Sequence, residues 1–193
     1  FALVPRQRVY DLTRVQFLQL NSLFQLYAAV LADPALFKRA TRLLFMPDIF
    51  SYFLTGETKS EFTVATTSQL FNPRKRDWDA ELLSALGIPR SVMQEIVHPG
   101  TLLGPVKQSI AVETGLEGVG VIAVASHDTG LAIAAIPAHG EDWAYISSGT
   151  WSLMGVEIQV PIITEEALNA NFTNEGGVEG TFRFLKNIMG LWL

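Results

Sequence analysis

The run V-G-V-I-A-V-A-S-H-D-T-G-L-A-I-A-A-I-P-A-H-G-E-D-W-A-Y-I-S-S-G-T-W-S-L-M-G-V-E, from Val119 to Glu157, sets the architecture. Val119 to Ala125 is a nearly continuous apolar run, the pattern of a buried strand between turn signals. It breaks into Ser126-His127-Asp128-Thr129-Gly130, and a helix-compatible segment, Leu131 to Ile136, follows. A polar cluster at the carboxyl end of a strand, leading into a helix, is where α/β folds place ligand chemistry. A second strand-like run, Trp143 to Ile146, leads into Ser147-Ser148-Gly149-Thr150 and then Trp151 to Val156. That is a hairpin whose turn is all hydroxyl and glycine. Two polar tips on apolar supports are expected to form two sides of one cleft.

Upstream the chain is helix-rich. Phe1 to Asp11 reads as an edge strand or loop, and Thr13 as the N-cap of a long amphipathic helix through Asp33. A short helix follows Asp33-Pro34, and Met46-Pro47-Asp48 opens another that Gly56 closes, with Ile49, Phe50, Phe53 and Leu54 as its apolar face. Helices are also expected over Trp78 to Leu86 and Pro89 to Val97, while the threonines of Glu61 to Leu70 allow either state, with context favouring a helix. Thr101 to Val106 reads as a strand and Ile110 to Thr114 as a helix ended by Gly115. Beyond the hairpin, Thr164 to Asn169 is a helix with acids in its first turn, Thr173 to Gly180 a loop, and Lys186 to Leu193 the start of a helix. Pro137 to Asp142 is a polar connection suited to a domain boundary.

Composition removes several classes. A hydrophobic fraction of 49% with 17% charged residues is that of a globular chain. The net charge of -5 offers no general attraction for nucleic acid. The one cationic cluster, Arg74-Lys75-Arg76, reads as a solvated turn. Cysteine is absent, which excludes disulfides, thiolate metal sites and thiol nucleophiles. No apolar run approaches the roughly 18 residues of a membrane span, so cytoplasmic is the default location. The chain starts at Phe1 and stops in mid-pattern, and both ends look cut.

Asp128 is the strongest catalytic candidate: a carboxylate just past a strand can take a proton from a substrate hydroxyl as that oxygen attacks. The same residue could instead cap the following helix, and local sequence leaves both open. His127, pointing to the opposite face if the strand continues, is either a structural histidine or a donor to a polyol. Ser126-His127-Asp128 is no hydrolase triad, because that relay needs convergence from separate parts of a fold. The 3 histidines show no metal-ligand spacing. Ser147 to Thr150 resembles a phosphate-cradling turn, with glycine permitting close backbone approach, although polar hairpin turns are common. Asn174, Glu175 and Asn187 read as turn or surface residues unless the fold brings them to the cleft.

Taken together these residues resemble the sugar kinases known by an F-G-G-Y signature. Met46-Pro-Asp-Ile-Phe-Ser-Tyr-Phe-Leu-Thr-Gly56 resembles the family's P-D-Y-x-x-x-x-L-T-G segment. Ala65-Thr-Thr-Ser-Gln-Leu70, with Trp78-Asp79 and Leu82-Leu83 after it, resembles the next block. The most specific motifs are Ala125-Ser-His-Asp-Thr129, Ser147-Ser-Gly-Thr-Trp-Ser-Leu-Met-Gly155 and Asn174-Glu-Gly-Gly177 with Leu185-Lys-Asn-Ile-Met-Gly-Leu-Trp192. In that order they are similar to one branch of the family rather than to its glycerol or xylulose kinases.

The resemblance implies an α/β, actin-like ATPase (ribonuclease H-like) fold of two domains with ATP and sugar between them. Residues 1–138 would be the later part of the N-terminal domain and 139–193 the opening of the C-terminal one. It implies Asp128 as general base, His127, Thr129 and Asn187 in the sugar site, and Gly149 and Thr150 at the ATP phosphates. Mg²⁺ would accompany the nucleotide, with no metal ligand in this chain. The partners implied are small molecules, not nucleic acid or membrane. The family's first phosphate hairpin, an early substrate segment and the adenine-binding glycine motif have no counterpart here, so the isolated chain is expected to be inactive. Alternatives are a kinase for another ketose or polyol such as L-fuculose, a non-catalytic sugar- or nucleotide-binding relative, and an actin-like assembly module.

Overall fold

A computed structural model describes residues 2–140 and 142–190. Leu191, Trp192 and Leu193, the end of the last motif, lie outside the described residues. Helix α1 (Arg6–Thr13) replaces the expected edge strand or loop. Thr13 ends it rather than capping a long helix, because Arg14 turns left-handed at φ 65°. Helical periodicity resumes only in α2 (Ser22–Ala32). The intervening segment stays extended because side-chain amides from elsewhere take its backbone groups. Gln69 Nε2 donates to the carbonyls of Val15 and Gln16, and Asn171 Oδ1 accepts from Phe17 N–H. Hydrophobic spacing carries no sign of such long-range partners.

The elements α3 (Leu36–Arg39) and α4 (Met46–Thr55) fall where expected. Pro47 occupies the first turn of α4, and Gly56 closes it at φ 86°, a conformation that suits glycine. Its apolar face is turned outward, however: Phe50 and Phe53 are more than half exposed, while Asp48 is buried. Next come β1 (Lys59–Glu61), α5 (Phe62–Thr67), the small ribbon of β2 (Phe71–Asn72) and β3 (Asp77–Trp78), and α6 (Ala80–Ala85), capped by the Asp79 side chain. Arg74 to Arg76 form the exposed turn of that ribbon. The helix expected over Pro89 to Val97 shrinks to one 3-10 turn at Arg90–Val92, and the chain then enters β4 (Glu95–Val97). Pairing with β1, in parallel register Lys59 to Glu95, wins over local propensity there.

Strand β5 (Leu102–Pro105), helix α7 (Gln108–Thr114) and strand β6 (Gly120–Ile122) follow, with β6 antiparallel to β5. The continuous buried strand expected from Val119 to Ala125 is therefore cut to a short ribbon. Ile122 and Val124 are exposed, and only Ala123 and Ala125 turn inward. Helix α8 (Asp128–Ala134) then starts directly at the candidate base. The remainder is one antiparallel sheet in the order β7-β8-β10-β9. It comprises β7 (Tyr145–Ser148), β8 (Trp151–Ile158), β9 (Thr173–Gly176) and β10 (Phe182–Met189), with α9 (Glu165–Asn169) crossing between β8 and β9.

Two expectations fail in this sheet. Thr173 to Gly176 is a strand and not loop, and Lys186 onward continues β10 rather than opening a helix. The reason is pairing: β10 is registered against β8 from Phe182–Ile158 to Met189–Trp151, a demand that a short apolar run cannot advertise.

The main core gathers Phe62, Leu70, Phe71, Trp78, Leu82 and Leu83 and takes in Phe182 from the last strand. The Phe62 and Phe182 rings meet edge to face at 5.9 Å. Gly176 permits this junction, since a Cβ there would lie 2.6 Å from the Phe62 ring. A second cluster of Ile133, Tyr145, Leu153 and Leu185 joins α8 to the hairpin strands. These two cores fix the two polar tips relative to each other. No helix among the described residues is long and apolar enough to cross a membrane.

Candidate active site

The chain segment carrying Asp128 is held from beneath by two buried acids. Glu61 accepts hydrogen bonds from Thr63 N–H, Thr63 Oγ1, Val64 N–H and Ser126 N–H. Thr63 Oγ1 in turn accepts from His127 N–H at 3.0 Å. Asp48 supports Glu61, accepting from its N–H at 3.0 Å and from Phe45 N–H. Burial pushes the Asp48 carboxyl up to about 6, against the opposing pull of these backbone donors. The loop before Asp128 is thus fixed by charge-assisted bonds to groups far away in sequence.

Asp128 itself projects freely, its side chain 99% exposed. It occupies the first turn of α8, and among the described residues its carboxylate accepts only from the neighbouring Thr129, at 2.6 Å from N–H and 3.3 Å from Oγ1. The N-cap position belongs to His127, whose side chain caps nothing. Capping therefore does not account for Asp128. His127 does not point away from it, because the strand ends at Ile122 and a helix starts at 128. Its Nδ1 lies 3.8 Å from Asp128 Oδ1, and its Nε2 lies 3.8 Å from Glu175 Oε2. Burial holds the imidazole below its usual pKa, so the ring is neutral near pH 7.

The second tip is the β7–β8 hairpin. Ser148 and Ser152 hydroxyls pair across it at 2.6 Å, and Gly149 N–H donates to Trp151 carbonyl. Gly149 and Thr150 are exposed at its end. Gly190 packs behind it so closely that a Cβ would lie 2.5 Å from the Gly149 carbonyl oxygen.

Both tips open on one cleft of about 480 Å³, lined among others by His127, Asp128, Thr129, Ser147, Ser148, Gly149, Thr150 and Asn187. All six site residues expected from sequence thus meet in one space. Asn187 reaches it from β10, opposite Leu153 of β8. Of the other two polar residues left open by sequence, Glu175 also lines the cleft, whereas Asn174 is buried and bonds Arg14 and Ile162 backbone. A third wall escapes sequence reading: Gln16 and Asn21 from the extended segment, and Thr67 at the end of α5. Isolated polar residues in apolar context gave no signal for it. Arg183 did offer one, as a lone charge between Phe182 and Phe184. It is fully buried, donating to Glu175 Oε2 and to the Gly176 carbonyl, each at 3.2 Å. Among the described residues no cluster of histidine and acidic side chains is arranged to hold a metal ion.

Residues 3–135 match the N-terminal domain of the FGGY family of carbohydrate kinases, and residues 144–193 match that family's C-terminal domain. The chain belongs to the FGGY family of carbohydrate kinases. Rhamnulokinase from Bacteroides thetaiotaomicron is 48% identical over 193 residues, covering 100% of this chain and 40% of the relative. Rhamnulokinase from Halalkalibacterium halodurans is 47% identical over 188 residues, 97% of this chain and 40% of its own length. The chain thus spans about 40% of the length of these curated relatives. Among solved structures, xylulose kinase from Rhodospirillum rubrum superposes with a TM-score of 0.83 at 19% identity, over 99% of this chain and 38% of that one. At that identity the likeness concerns the fold, the actin-like ATPase fold of FGGY sugar kinases, of which this mixed α/β chain is a part.

Proposed function

We propose that this chain is the catalytic-cleft portion of a rhamnulokinase, which transfers the γ-phosphoryl group of ATP to the 1-hydroxyl of L-rhamnulose. The observation that carries the reading is the exposed Asp128 carboxylate facing, across one cleft, a hairpin tip of glycine and hydroxyls. Phosphoryl transfer asks for alignment and charge stabilisation more than for covalent help. Asp128 accepts the proton of the attacking hydroxyl. The new bond forms from that oxygen to the γ-phosphorus, the bond to the β,γ-bridging oxygen breaks, and ADP leaves.

His127, Thr129 and Asn187 bind the sugar's hydroxyls, and Gly149 and Thr150 meet phosphate oxygens. The exposed tip fits this role, because glycine allows close approach of the backbone and the exposed Thr150 beside it can offer donors to an anionic oxygen. Mg²⁺ enters as the partner of the nucleotide's phosphates and takes no ligand from this chain. The domain division falls near residue 138, and the protein acts in the cytoplasm on small molecules.

ADP release by the complete kinase chain against a panel of ketoses tests the proposal. Release strongest with L-rhamnulose supports it. Turnover strongest with L-fuculose or another ketose would keep the mechanism and change the substrate. No sugar-dependent release would overturn the kinase reading in favour of a binding protein.

A further inference from the structure

We propose that Gln16 is a specificity-determining residue, whose side-chain amide binds a ketose hydroxyl other than the one that is phosphorylated. The inference rests on the kinase reading for the identity of the sugar, but not for the build of the wall. Gln16 lines the cleft yet is only 3% exposed. Its backbone carbonyl accepts from Gln69 Nε2 at 3.1 Å and from Asn21 Nδ2 at 2.8 Å, which fixes the residue from behind. The side-chain amide is left over: it has no hydrogen-bond partner among the described residues.

An amide in that position is destabilising unless something uses it. It carries two N–H donors and an acceptor oxygen, and a polar group taken from water without a new partner costs free energy. Gln69 Oε1 shows the other fate of such a group. It too lacks a partner, but it is sealed from all open space. Neither amide atom of Gln16 is sealed in that way, so the amide stays open to the cleft it lines. A ligand in the cleft meets a donor and an acceptor already held in place.

The surroundings decide what the amide takes. The extended segment runs against β9, where the Arg14 carbonyl accepts from Asn174 N–H at 2.9 Å. Glu175, next in that strand, lines the same cleft and accepts from Arg183 through Oε2 at 3.2 Å. Its Oε1 has no partner among the described residues and is not sealed off either. Thr67 completes this wall, with its hydroxyl spent on the Val64 carbonyl. The wall therefore offers an amide and a carboxylate, and no lysine or arginine lines the cleft. A carboxylate repels the phosphates of a nucleotide, so this wall suits the neutral ligand. A hydroxyl fits it, since one hydroxyl can accept from an amide and donate to a carboxylate at once. It is a second hydroxyl, because the reacting one is turned to Asp128.

Ketose binding without nucleotide, measured by titration calorimetry on the complete kinase, tests the assignment. Gln16→Met keeps the volume and removes the amide. It should weaken L-rhamnulose binding about 5- to 10-fold, the scale of one hydrogen bond, and leave the ATP KM unchanged. A set of L-rhamnulose analogues, each lacking one hydroxyl other than that at C1, locates the bond. One of them should bind wild type and Gln16→Met equally, because the same bond is then missing from both. Unchanged L-rhamnulose affinity in Gln16→Met, or an equal loss with every analogue, would overturn the proposal. The thermal midpoint of Gln16→Met should stay at or above that of wild type, since no bond within the protein is lost. A lower midpoint, or a variant that does not fold, would make the amide structural and overturn the proposal as well. Ketose bound by wild type without ADP release would remove the kinase reading and leave the Gln16 result standing. Ketose bound and phosphorylated equally well by both proteins would remove the Gln16 proposal alone, and a wild type that binds no ketose would remove both.

Discussion

The two polar tips of the cleft are built on opposite principles. The Asp128 loop is cross-braced: Ser126 N–H and His127 N–H bond to Glu61 and Thr63, which lie in another element, and Asp48 supports Glu61 in turn. The hairpin tip bonds mainly to itself, through the Ser148–Ser152 pair and the Gly149 N–H. A general base must hold one pair of oxygens within hydrogen-bond reach of one hydroxyl, so rigidity is useful there. A phosphate cradle must present open donors, and with the Gly149 N–H engaged by the Trp151 carbonyl that task falls to the exposed Thr150. One tip is exact because it is braced; the other is receptive because it is not.

The largest effect that would break this contrast is at Asp128. Asp128→Asn in the complete kinase should lower kcat by at least ~100-fold, the scale of a positioned general base. Its thermal midpoint should not move, since a side chain this exposed contributes little packing. Retained activity would remove Asp128 from the chemistry. Next comes the brace. Glu61→Ala leaves four donor groups without their acceptor, some of them buried, and should cost about 3 kcal/mol of unfolding free energy in denaturant titration. A loss near zero would mean that water replaces Glu61 and that the loop is not held as described.

Thr150→Ala belongs to the receptive tip, and the prediction there is reversed in kind. An exposed residue should change stability by no more than about 0.5 kcal/mol. The KM for ATP should rise about 5- to 10-fold, as expected for one lost hydrogen bond to a charged group. A rise in sugar KM alone would place the hairpin on the sugar side of the cleft.

The difference between the tips also explains what the sequence made legible. Both tips are visible because each is a local event, a polar run ending an apolar one, and their apolar supports already point to two sides of one cleft. The brace was not legible. Glu61 sits in a threonine-rich stretch that allows either state, and its role depends on Ser126, far along the chain. The segment around Gln16 has the helical period, through Val15 and Leu18, yet is extended, because the amides of Gln69 and Asn171 that hold it open leave no local trace. Strands β9 and β10 were missed for the same reason, since their partners lie outside any window that periodicity can examine. The pairing of Glu175 with Arg183 across those strands is hidden with them.

The last effect concerns the base of the brace and has a definite sign. Asp48 is pushed from its ordinary value of 3.8 up to about 6 in the folded protein, chiefly by burial. Between those values the folded state binds more protons than the unfolded one, so stability falls as pH rises. Asp48's contribution is complete below the unfolded value and is lost as pH rises through about 6. His127, whose pKa is lowered, acts in the opposite direction, since stability is lost as pH falls below its ordinary range. Comparing wild type with Asp48→Asn separates the two, because both proteins share His127 and only one can ionise at position 48. The wild-type advantage should decline from pH 4 to pH 6 with a slope no steeper than about 1.4 kcal/mol per pH unit, the limit for one proton, and then level off. A flat difference would mean that the carboxyl is already ionised throughout. Glu61 would then be held by charge against charge rather than by a neutral acid beneath it, and the braced tip would owe its geometry to the backbone donors of Glu61 and Phe45 alone.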